Sequence, residues 1–462
     1  MSDKTGELCR ISVRAPSRAF ELGIPSDVPL ADLLPVLVEY AGAEPHEQGP
    51  GPGGWSVQRL GGAPLDEEGT AASFGLVDGE TLYLRPRGET LPEVAFDDLV
   101  EGIGETLRAR DDTWRPALTR RLLLGLSTAA LLAALVVLVL PGSDAWRAGT
   151  AGALAVLLIA GSLTASRAVG DSGAGAVLGM LAVPHLALAG ALLPQAGAGE
   201  DGLGPRLLAG GAAAAGAAVV ALAAVGAFVP LFLGAFTVAL FAALAGGVTA
   251  AGLPPAQAAG WLAVLTVVSA VFVPGLAFRF AGMRLPPLPT GADDLQEGID
   301  PFPAERVRAR AALADTYLTS IYAALGVVAM GSQTALLTAA GSDERTGPAL
   351  TVALSLLLLL HVRLVGALWH RLALAVPGAY GLTATAVVIA AGAPLPGRLE
   401  AVAVLLVAGA AAAVAAWTVP GRRLVPYWGR AADVLHLVTA LALLPLAALL
   451  SGVFGALRGI RG

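Results

Sequence analysis

The chain has 462 residues, of which 56% are hydrophobic and 14% are charged, and its mean hydropathy is +0.72. The net charge is −6 and the acidic excess lies in the first 121 residues, which argues against binding of a nucleic acid. Lys4 is the only lysine, so the chain lacks the lysine of a P-loop and is not a P-loop ATPase. Cys9 is the only cysteine, which excludes an intramolecular disulfide.

The first 90 residues are polar and predict a small α+β domain. Alternating apolar residues bounded by turns predict four strands, at 8–14, 18–24, 55–60 and 81–87. Between the second and third strands, leucines at helical spacing predict a helix over 30–42, capped by Ser26 or Asp27. Cys9 lies on the first strand, where we expect a small buried apolar side chain.

This order of elements resembles the ubiquitin-like β-grasp fold. The segment RLGGAPLDEEGTAASFGLVDGETLYLRPR, residues 59–87, is similar to the corresponding part of ubiquitin. A protein modifier needs a free C-terminal Gly-Gly, whereas here the chain continues. We therefore expect residues 1–90 to be a cytoplasmic docking domain rather than a conjugated tag.

A linker is predicted over residues 91–119. Within it, residues 96–107 place apolar side chains on one helical face and acids on the other, which indicates an amphipathic helix against a membrane surface or a partner. Several arginines follow, with Trp114 at the expected headgroup level.

Residues 120–462 form a predicted membrane domain, because its apolar segments are long enough to cross about 30 Å of hydrocarbon as helices. Eleven spans are predicted, at 121–140, 146–166, 174–194, 206–226, 228–247, 258–279, 317–340, 348–366, 371–391, 398–418 and 432–456. The fourth and fifth are separated only by a turn around Gly226. The expected fold is thus an α-helical polytopic membrane protein with an N-terminal ubiquitin-like β-grasp domain.

The arginines predict the orientation of these spans. On the side of the N-terminal domain they outnumber those in the opposite loops. The positive-inside rule therefore puts the N-terminus in the cytoplasm and the C-terminus on the outer side of the membrane.

The fourth span is built almost entirely from alanine and glycine. Gly210, Gly211 and Gly216 lie in it, and small residues let helices approach closely. This surface predicts either packing between two subunits or tight packing inside one chain.

Ionisable residues inside the spans would indicate a proton or ion path, but few are present. His361, Arg363, Asp433 and His436 lie near span ends, and only His185 lies well inside a span. A lone neutral histidine is more typical of hydrogen-bonded packing. The sequence predicts no metal site, no cofactor and no catalytic residues, so we do not expect an enzyme.

Most connections are short, but a cytoplasmic loop is predicted over residues 280–316. It begins with a stiff segment containing Pro286, Pro287 and Pro289, and it ends in a helix that carries arginines. Those arginines are Arg306, Arg308 and Arg310. They form either a solvated, lipid-facing cationic segment or an arm that binds a partner, and the length of the loop favours the arm.

The complete chain resembles the EccD family of type VII (ESX) secretion. The segments GGAPLDEEGTAASFGLVDGETLYLRP and GMRLPPLPTGADDLQEGID carry the resemblance, together with the order of the domains. The resemblance implies an actinobacterial protein of the bacterial inner (plasma) membrane that forms a homodimer, encloses lipids and serves as a scaffold. Its expected partners are EccB, EccE and the FtsK/SpoIIIE-like ATPase EccC. The cytoplasmic domain and loop are then expected to bind the ATPase.

An alternative function remains open: the chain could be a gradient-driven secondary transporter with a regulatory ubiquitin-like domain. It predicts that the purified chain alone moves a solute or protons across liposomes, and that His185→Ala stops this transport.

Overall fold

The computed structural model separates the chain into two compact units, residues 1–116 and 117–462. It describes residues 8–16, 18–42, 54–87, 100, 103–104, 107, 114–193, 202–283, 303–339, 345–419 and 426–453.

The first unit contains a four-stranded mixed sheet. Its strands are β1 (Leu8–Arg14), β2 (Ala19–Pro25), β3 (Trp55–Gln58) and β4 (Glu80–Pro86). Their spatial order is β2-β1-β4-β3, with β1 parallel to β4 and both outer strands antiparallel to their neighbours. The parallel central pair requires a crossover, which the chain between β2 and β4 supplies. This is the predicted ubiquitin-like arrangement.

One helix, α1 (Leu30–Tyr40), packs on this sheet. Its Leu37 is fully buried with Ile11, Val13, Leu82 and other apolar side chains from the sheet. The predicted cap by Ser26 or Asp27 is wrong, because Pro29 occupies the N-cap position and no side chain caps the helix.

Cys9 belongs to the same core and is 9% exposed, as predicted for a small apolar side chain. Its Sγ lies 3.6 Å from the Leu76 carbonyl oxygen. Burial is the main cause that raises the pKa of the Cys9 thiol, so the thiolate is disfavoured.

An ion pair ties the segment before β4 to the end of β3. Arg59 Nε donates to Glu80 Oε1 at 2.5 Å, and Arg59 Nη2 donates to the Phe74 carbonyl at 3.0 Å. Glu80 Oε2 in turn accepts the Val77 amide at 3.0 Å. The hydrogen bond from Arg59 holds the pKa of Glu80 below its usual value.

The predicted linker helix at 96–107 lies largely outside the described residues. Within it the structure describes Val100, Ile103, Gly104 and Leu107, all in helical conformation.

The second unit is a bundle of eleven helices, counted over the described residues, each long and apolar enough to cross a membrane. This confirms the predicted number of spans. The helices are α2 (Pro116–Val139), α3 (Asp144–Arg167), α4 (Ser172–Leu192), α5 (Leu203–Val225), α6 (Val229–Ala250), α7 (Pro255–Phe280), α8 (Ala304–Thr338), α9 (Thr346–His361, followed by a 3-10 turn at Val362–Leu364), α10 (Leu368–Gly392), α11 (Leu395–Thr418) and α12 (Pro426–Leu450).

The turn between α5 and α6 has the predicted position. Gly226 caps α5 in the left-handed conformation with φ of 68°, and Phe228 begins α6 with φ of 58°. The two helices then pack along their length. Alanine at Gly211 would put its Cβ 2.5 Å from the Ala243 amide nitrogen, so only glycine permits this backbone contact.

Contacts between helix ends define one surface of the bundle, here called the N-face, which contains the start of α2. Arg120 Nε of α2 donates to Asp171 Oδ2 at 3.1 Å, just before α4. Arg167, at the end of α3, donates from Nε to the Ala224 carbonyl at 3.2 Å, near the end of α5. The starts of α2 and α4 and the ends of α3 and α5 therefore lie on this face.

The opposite surface, here called the C-face, contains the end of α12. Trp261 Nε1 of α7 donates to Ser451 Oγ, directly after α12, at 2.7 Å. Arg206 Nη2, at the start of α5, lies 3.2 Å from Asp144 Oδ2, at the start of α3.

Candidate partner-docking surface

The N-terminal part of α8 is the clearest candidate for a docking surface on the N-face. At 35 residues, α8 is the longest helix described, and its rise of about 1.5 Å per residue makes it about 52 Å long. About 30 Å suffices to cross the hydrocarbon. All residues of α8 before Ala314 are exposed, whereas Ala314, Tyr317 and Ile321 are buried. The first three turns of α8 therefore extend beyond the packed bundle.

Sequence patterns predicted a helix around Arg306–Arg310 and a separate span from residue 317, whereas the structure joins them into one continuous helix. A rigid helix transmits its position within the bundle to the exposed arginines. The surface is thus held on a secondary-structure element rather than on a loop.

The three predicted arginines differ in their contacts. Arg310 Nη1 donates to the Gly282 carbonyl oxygen at 2.7 Å and so ties α8 to the end of α7. Arg306 and Arg308 are exposed and have no hydrogen-bond or ion-pair partner within the described ranges. Arg310 thus has a structural contact, whereas Arg306 and Arg308 lie on the exposed part of α8. Pro286, Pro287 and Pro289 lie outside the described residues.

Arginine at a helix end recurs across the N-face. Besides its bond to Ala224, Arg167 donates from Nη2 to the Ala223 carbonyl at 3.3 Å, and Arg371 Nε donates to the Val365 carbonyl at 2.7 Å. Carbonyl groups at a helix C-terminus lack intrahelical donors and carry partial negative charge. A guanidinium group supplies both the hydrogen-bond donor and the compensating positive charge. Part of the arginine excess on this face therefore stabilises the bundle.

The ionisable residues predicted at separate span ends meet in one cluster on the N-face. Arg363 forms an ion pair with Asp433, which joins the end of α9 to the start of α12. Beside it the rings of His361 and His436 stack with centroids 5.4 Å apart, and His361 Nδ1 lies 3.3 Å from His436 Nε2. Sequence reasoning identified the residue types but not their meeting, because 70 residues or more separate the partners along the chain.

His185 is fully buried within the bundle. Its Nδ1 lies 2.8 Å from the Leu181 carbonyl oxygen, one turn earlier on α4. Its Nε2 has no hydrogen-bond partner in the part of the chain that the structure describes. No group of three or more metal-ligating side chains occurs among the described residues.

The three glycines predicted for subunit packing have different surroundings. Gly210 and Gly211 are buried inside the chain, and a Cβ at Gly210 would lie 2.9 Å from the Ala187 carbonyl oxygen on α4. A Cβ at Gly216 would meet no atom within 4 Å. Gly216 alone of the three therefore has open space beside it.

Two helices have free surfaces that sequence reasoning did not single out. Neither α2 nor α11 has a buried residue in the described chain. The half of α11 nearest the N-face is rich in alanine, Gly409 lies near the middle of the helix, and most of these small residues are exposed. The sequence signal resembles that of α5, and only the packing distinguishes the enclosed helix from the open one.

Two family models match this chain. The model described as EccD-like transmembrane domain matches residues 119–460, and that of the WXG100 protein secretion system (Wss) protein YukD matches residues 8–84. The ESX-4 secretion system protein eccD4 of Mycobacterium tuberculosis is 30% identical over 476 residues, covering 98% of this chain and 97% of that protein.

Solved structures share the fold. A chain in the structure of protomer 1 of the ESX-3 core complex has a TM-score of 0.61 at 21% identity, and the match covers 97% of this chain and 100% of that one. A chain of the MycP5-free ESX-5 inner membrane complex in State II has a TM-score of 0.58 at 21% identity, with coverages of 89% and 99%. The similarity to both structures extends over nearly the complete chain, including both units.

Proposed function

Because this chain belongs to the EccD family of type VII (ESX) secretion membrane components, we propose that it is a non-enzymatic scaffold subunit that docks the secretion ATPase. The observation that carries the docking role is the exposed N-terminal part of α8 with Arg306 and Arg308. In this proposal the FtsK/SpoIIIE-like partner EccC hydrolyses ATP, and the ubiquitin-like domain supplies a second contact. EccB- and EccE-like subunits complete the complex.

The proposed orientation puts the N-face in the cytoplasm and the C-terminus outside. The positive-inside rule favours it, because arginines are concentrated in the segments that connect helices on the N-face. The ATPase and the exposed arginines of α8 then lie on the same side of the membrane.

Charge reversal tests the docking surface. We expect Arg306→Glu combined with Arg308→Glu to reduce co-purification of the ATPase at least tenfold, because two attractive charges become two repulsive ones. The double lysine variant keeps the charge and is expected to retain most of the binding. Arg121→Glu, at an exposed position of α2, controls for a general change in the charge of the N-face. Normal ATPase recovery with the double glutamate variant would disprove docking through α8.

We further propose that two copies pair in the membrane through α11. A helix without buried residues in its own chain has a complete surface available for a partner, and small side chains permit close approach. Gly216 is a second candidate contact, whereas Gly210 and Gly211 are occupied within the chain.

Disulfide cross-linking tests this pairing. In a Cys9→Ser background, Ala412→Cys on α11 is expected to form dimers on oxidation in membranes, since Cys9 is the only natural cysteine. The Cys9→Ser variant alone provides the cysteine-free control. Failure of single cysteines along α11, introduced at each of four consecutive positions, to form dimers would exclude this helix from the contact.

A further inference from the structure

An apolar groove of about 580 Å³ opens on the surface formed by α4, α5 and α6. Its floor is α5, where Gly210, Gly211 and Ala214 have almost no side chain, and its walls are α4 and α6. The small residues let α5 lie deep between its two neighbours, so the groove is a direct consequence of the sequence of α5. Its volume falls within the range of about 300–1,000 Å³ typical of small-molecule sites.

The groove has the length of one membrane leaflet. Along α4 it extends from Ala191, near the C-face, to Met180. Met180 and Ala191 are eleven positions apart on the helix, which corresponds to about 16 Å at 1.5 Å per residue. This is about half of the roughly 30 Å thickness of the hydrocarbon core, and an acyl chain anchored at one membrane surface reaches the same depth.

The groove is charged at the end nearest the C-face, where Arg206 forms part of its lining. Asp144 is shared there between two arginines: Arg147 Nη1 lies 2.9 Å from Oδ1, and Arg206 Nη2 lies 3.2 Å from Oδ2. One carboxylate facing two guanidinium groups leaves a net charge of +1 in this trio. Arg147 also donates to the Leu138 carbonyl at 2.7 Å. Among the described residues, Arg206 therefore has fewer hydrogen-bond partners than Arg147.

Arg206 retains donor capacity for a ligand. Its side chain is 41% exposed, and within the described part of the chain its guanidinium group bonds to Asp144 alone, through Nη2, whereas its Nε is buried without a partner. A second apolar groove, of about 300 Å³, shares Leu207, Val238 and Ala242 with the first, continues along α7 and α8, and is lined by no charged residue. Of these two grooves, the first combines an apolar surface with a cation at its end nearest the C-face.

We propose that this groove binds one anionic phospholipid of the leaflet at the C-face, with an acyl chain along Gly210 and Ala214 and the phosphate at Arg206. Guanidinium groups bind phosphate through charge-assisted hydrogen bonds, and a buried acyl chain removes apolar surface from a loosely packed environment. The bound lipid fills the groove that the small residues of α5 leave between α4 and α6, so it acts as a structural part of the bundle.

Native mass spectrometry of the purified full-length chain tests the site. After delipidation, the protein is titrated with phosphatidylglycerol or with phosphatidylcholine of the same acyl chains. We expect one phosphatidylglycerol to bind about tenfold more tightly than phosphatidylcholine, equivalent to about 1.4 kcal/mol. Arg206→Gln is expected to abolish this preference, and Arg206→Lys to retain most of it. Arg398→Gln, at the start of α11 on the C-face, is the matched charge control and is expected to bind like the wild type.

Filling the groove with larger side chains tests the position of the acyl chain independently of charge. Ala187→Leu and Ala235→Leu add side chains to the two half-buried walls of the groove, and each is expected to weaken binding of both lipids at least tenfold. Ala212→Leu adds the same volume on the exposed opposite side of α5 and is expected to leave binding unchanged. Thermal unfolding of each variant verifies that it is folded.

Three results would overturn the proposal. These are equal binding of both lipids by the wild type, an unchanged preference in Arg206→Gln, and unchanged lipid binding in both leucine variants. Loss of a co-purifying membrane protein in the leucine variants without a change in lipid binding would instead identify the groove as a contact for a partner helix.

Discussion

Replacing Gly211 by alanine is a direct test of how α5 packs. The new Cβ would lie 2.5 Å from the Ala243 amide nitrogen and 2.8 Å from the Ala239 carbonyl oxygen. An ordinary contact begins at 3.4 Å, so α5 and α6 must separate locally by about 0.9 Å, the difference between 3.4 and 2.5. Both neighbouring atoms belong to the backbone and cannot rotate away.

Overpacking of this kind costs about 1–3 kcal/mol in measured cases. Gly216→Ala is the matched control, because it lies on the same helix with nothing within 4 Å of its Cβ. Alanine there is expected to stabilise α5 by about 0.5–1 kcal/mol through its higher helix propensity. Because both substitutions replace glycine by alanine within α5, this gain is common to both, and their free energies of unfolding should differ by the overpacking cost of about 1–3 kcal/mol.

Unfolding of the full-length protein in mixed micelles with a rising fraction of SDS, followed by circular dichroism, measures this difference. The midpoint of Gly211→Ala should fall by the same amount at all protein concentrations, because the contact lies inside one chain. Equal midpoints for Gly211→Ala and Gly216→Ala would refute the tight packing of α5 on α6. If the lowered midpoint of Gly211→Ala returned to the wild-type value at low protein concentration, Gly211 would instead contribute to a contact between subunits.

Three further outcomes follow from described contacts. Arg59 holds the pKa of Glu80 below its usual 4.5, so the ion pair stabilises the N-terminal domain above that pH and loses its effect as the pH falls through the lowered pKa. Urea unfolding of residues 1–116 should therefore depend less on acid pH in Arg59→Met than in the wild type. An identical pH profile of the two proteins would contradict this. Asp171 caps α4 and pairs with Arg120, so Asp171→Ala should lower the thermal midpoint more than Asp171→Asn, which keeps a capping oxygen; the reverse order would rule out the cap as the larger effect. Trp261→Phe removes the indole donor to a serine after α12 and should cost about 0.5–1.5 kcal/mol in SDS unfolding, with Trp417→Phe, 82% exposed, as the control that should cost nothing measurable.

Local patterns were sufficient for the elements of both units. The alternation of Ile11 and Val13, and of Leu82 and Leu84, with polar residues predicted strands whose inward side chains are fully buried in the sheet. The eleven apolar segments were equally evident, because each helix must satisfy its own backbone in hydrocarbon and so extends over a length set by the bilayer. These signals depend on residues close together in the chain.

Some boundaries could not be predicted from the same patterns. The polar residues between Pro303 and Leu313 gave no membrane signal, so the continuity of α8 was missed. The cap of α1 was assigned to Ser26 or Asp27, although the helix begins after Pro29. A favourable capping residue identifies a region, and the geometry of the preceding turn selects the position within it.

The sequence by itself determined which part of the chain is polar and which is apolar enough for a membrane, the number of predicted spans, and the ubiquitin-like order of strands and helix in the N-terminal domain. These features follow from hydropathy and periodicity, which depend on residues close together in the chain. Only the tertiary structure decided which small residues are enclosed, which of the described arginines bond to helix ends and where charge lies beside an apolar surface. The alanine-rich segments of α5 and α11 have nearly the same composition, yet the first is packed between α4 and α6 and the second is exposed. Likewise Arg206 and Asp144 lie 62 residues apart, and the packing of α3 against α5 brings them together at the groove. Contacts over such separations depend on the assembly of the complete bundle, which local residue patterns do not encode.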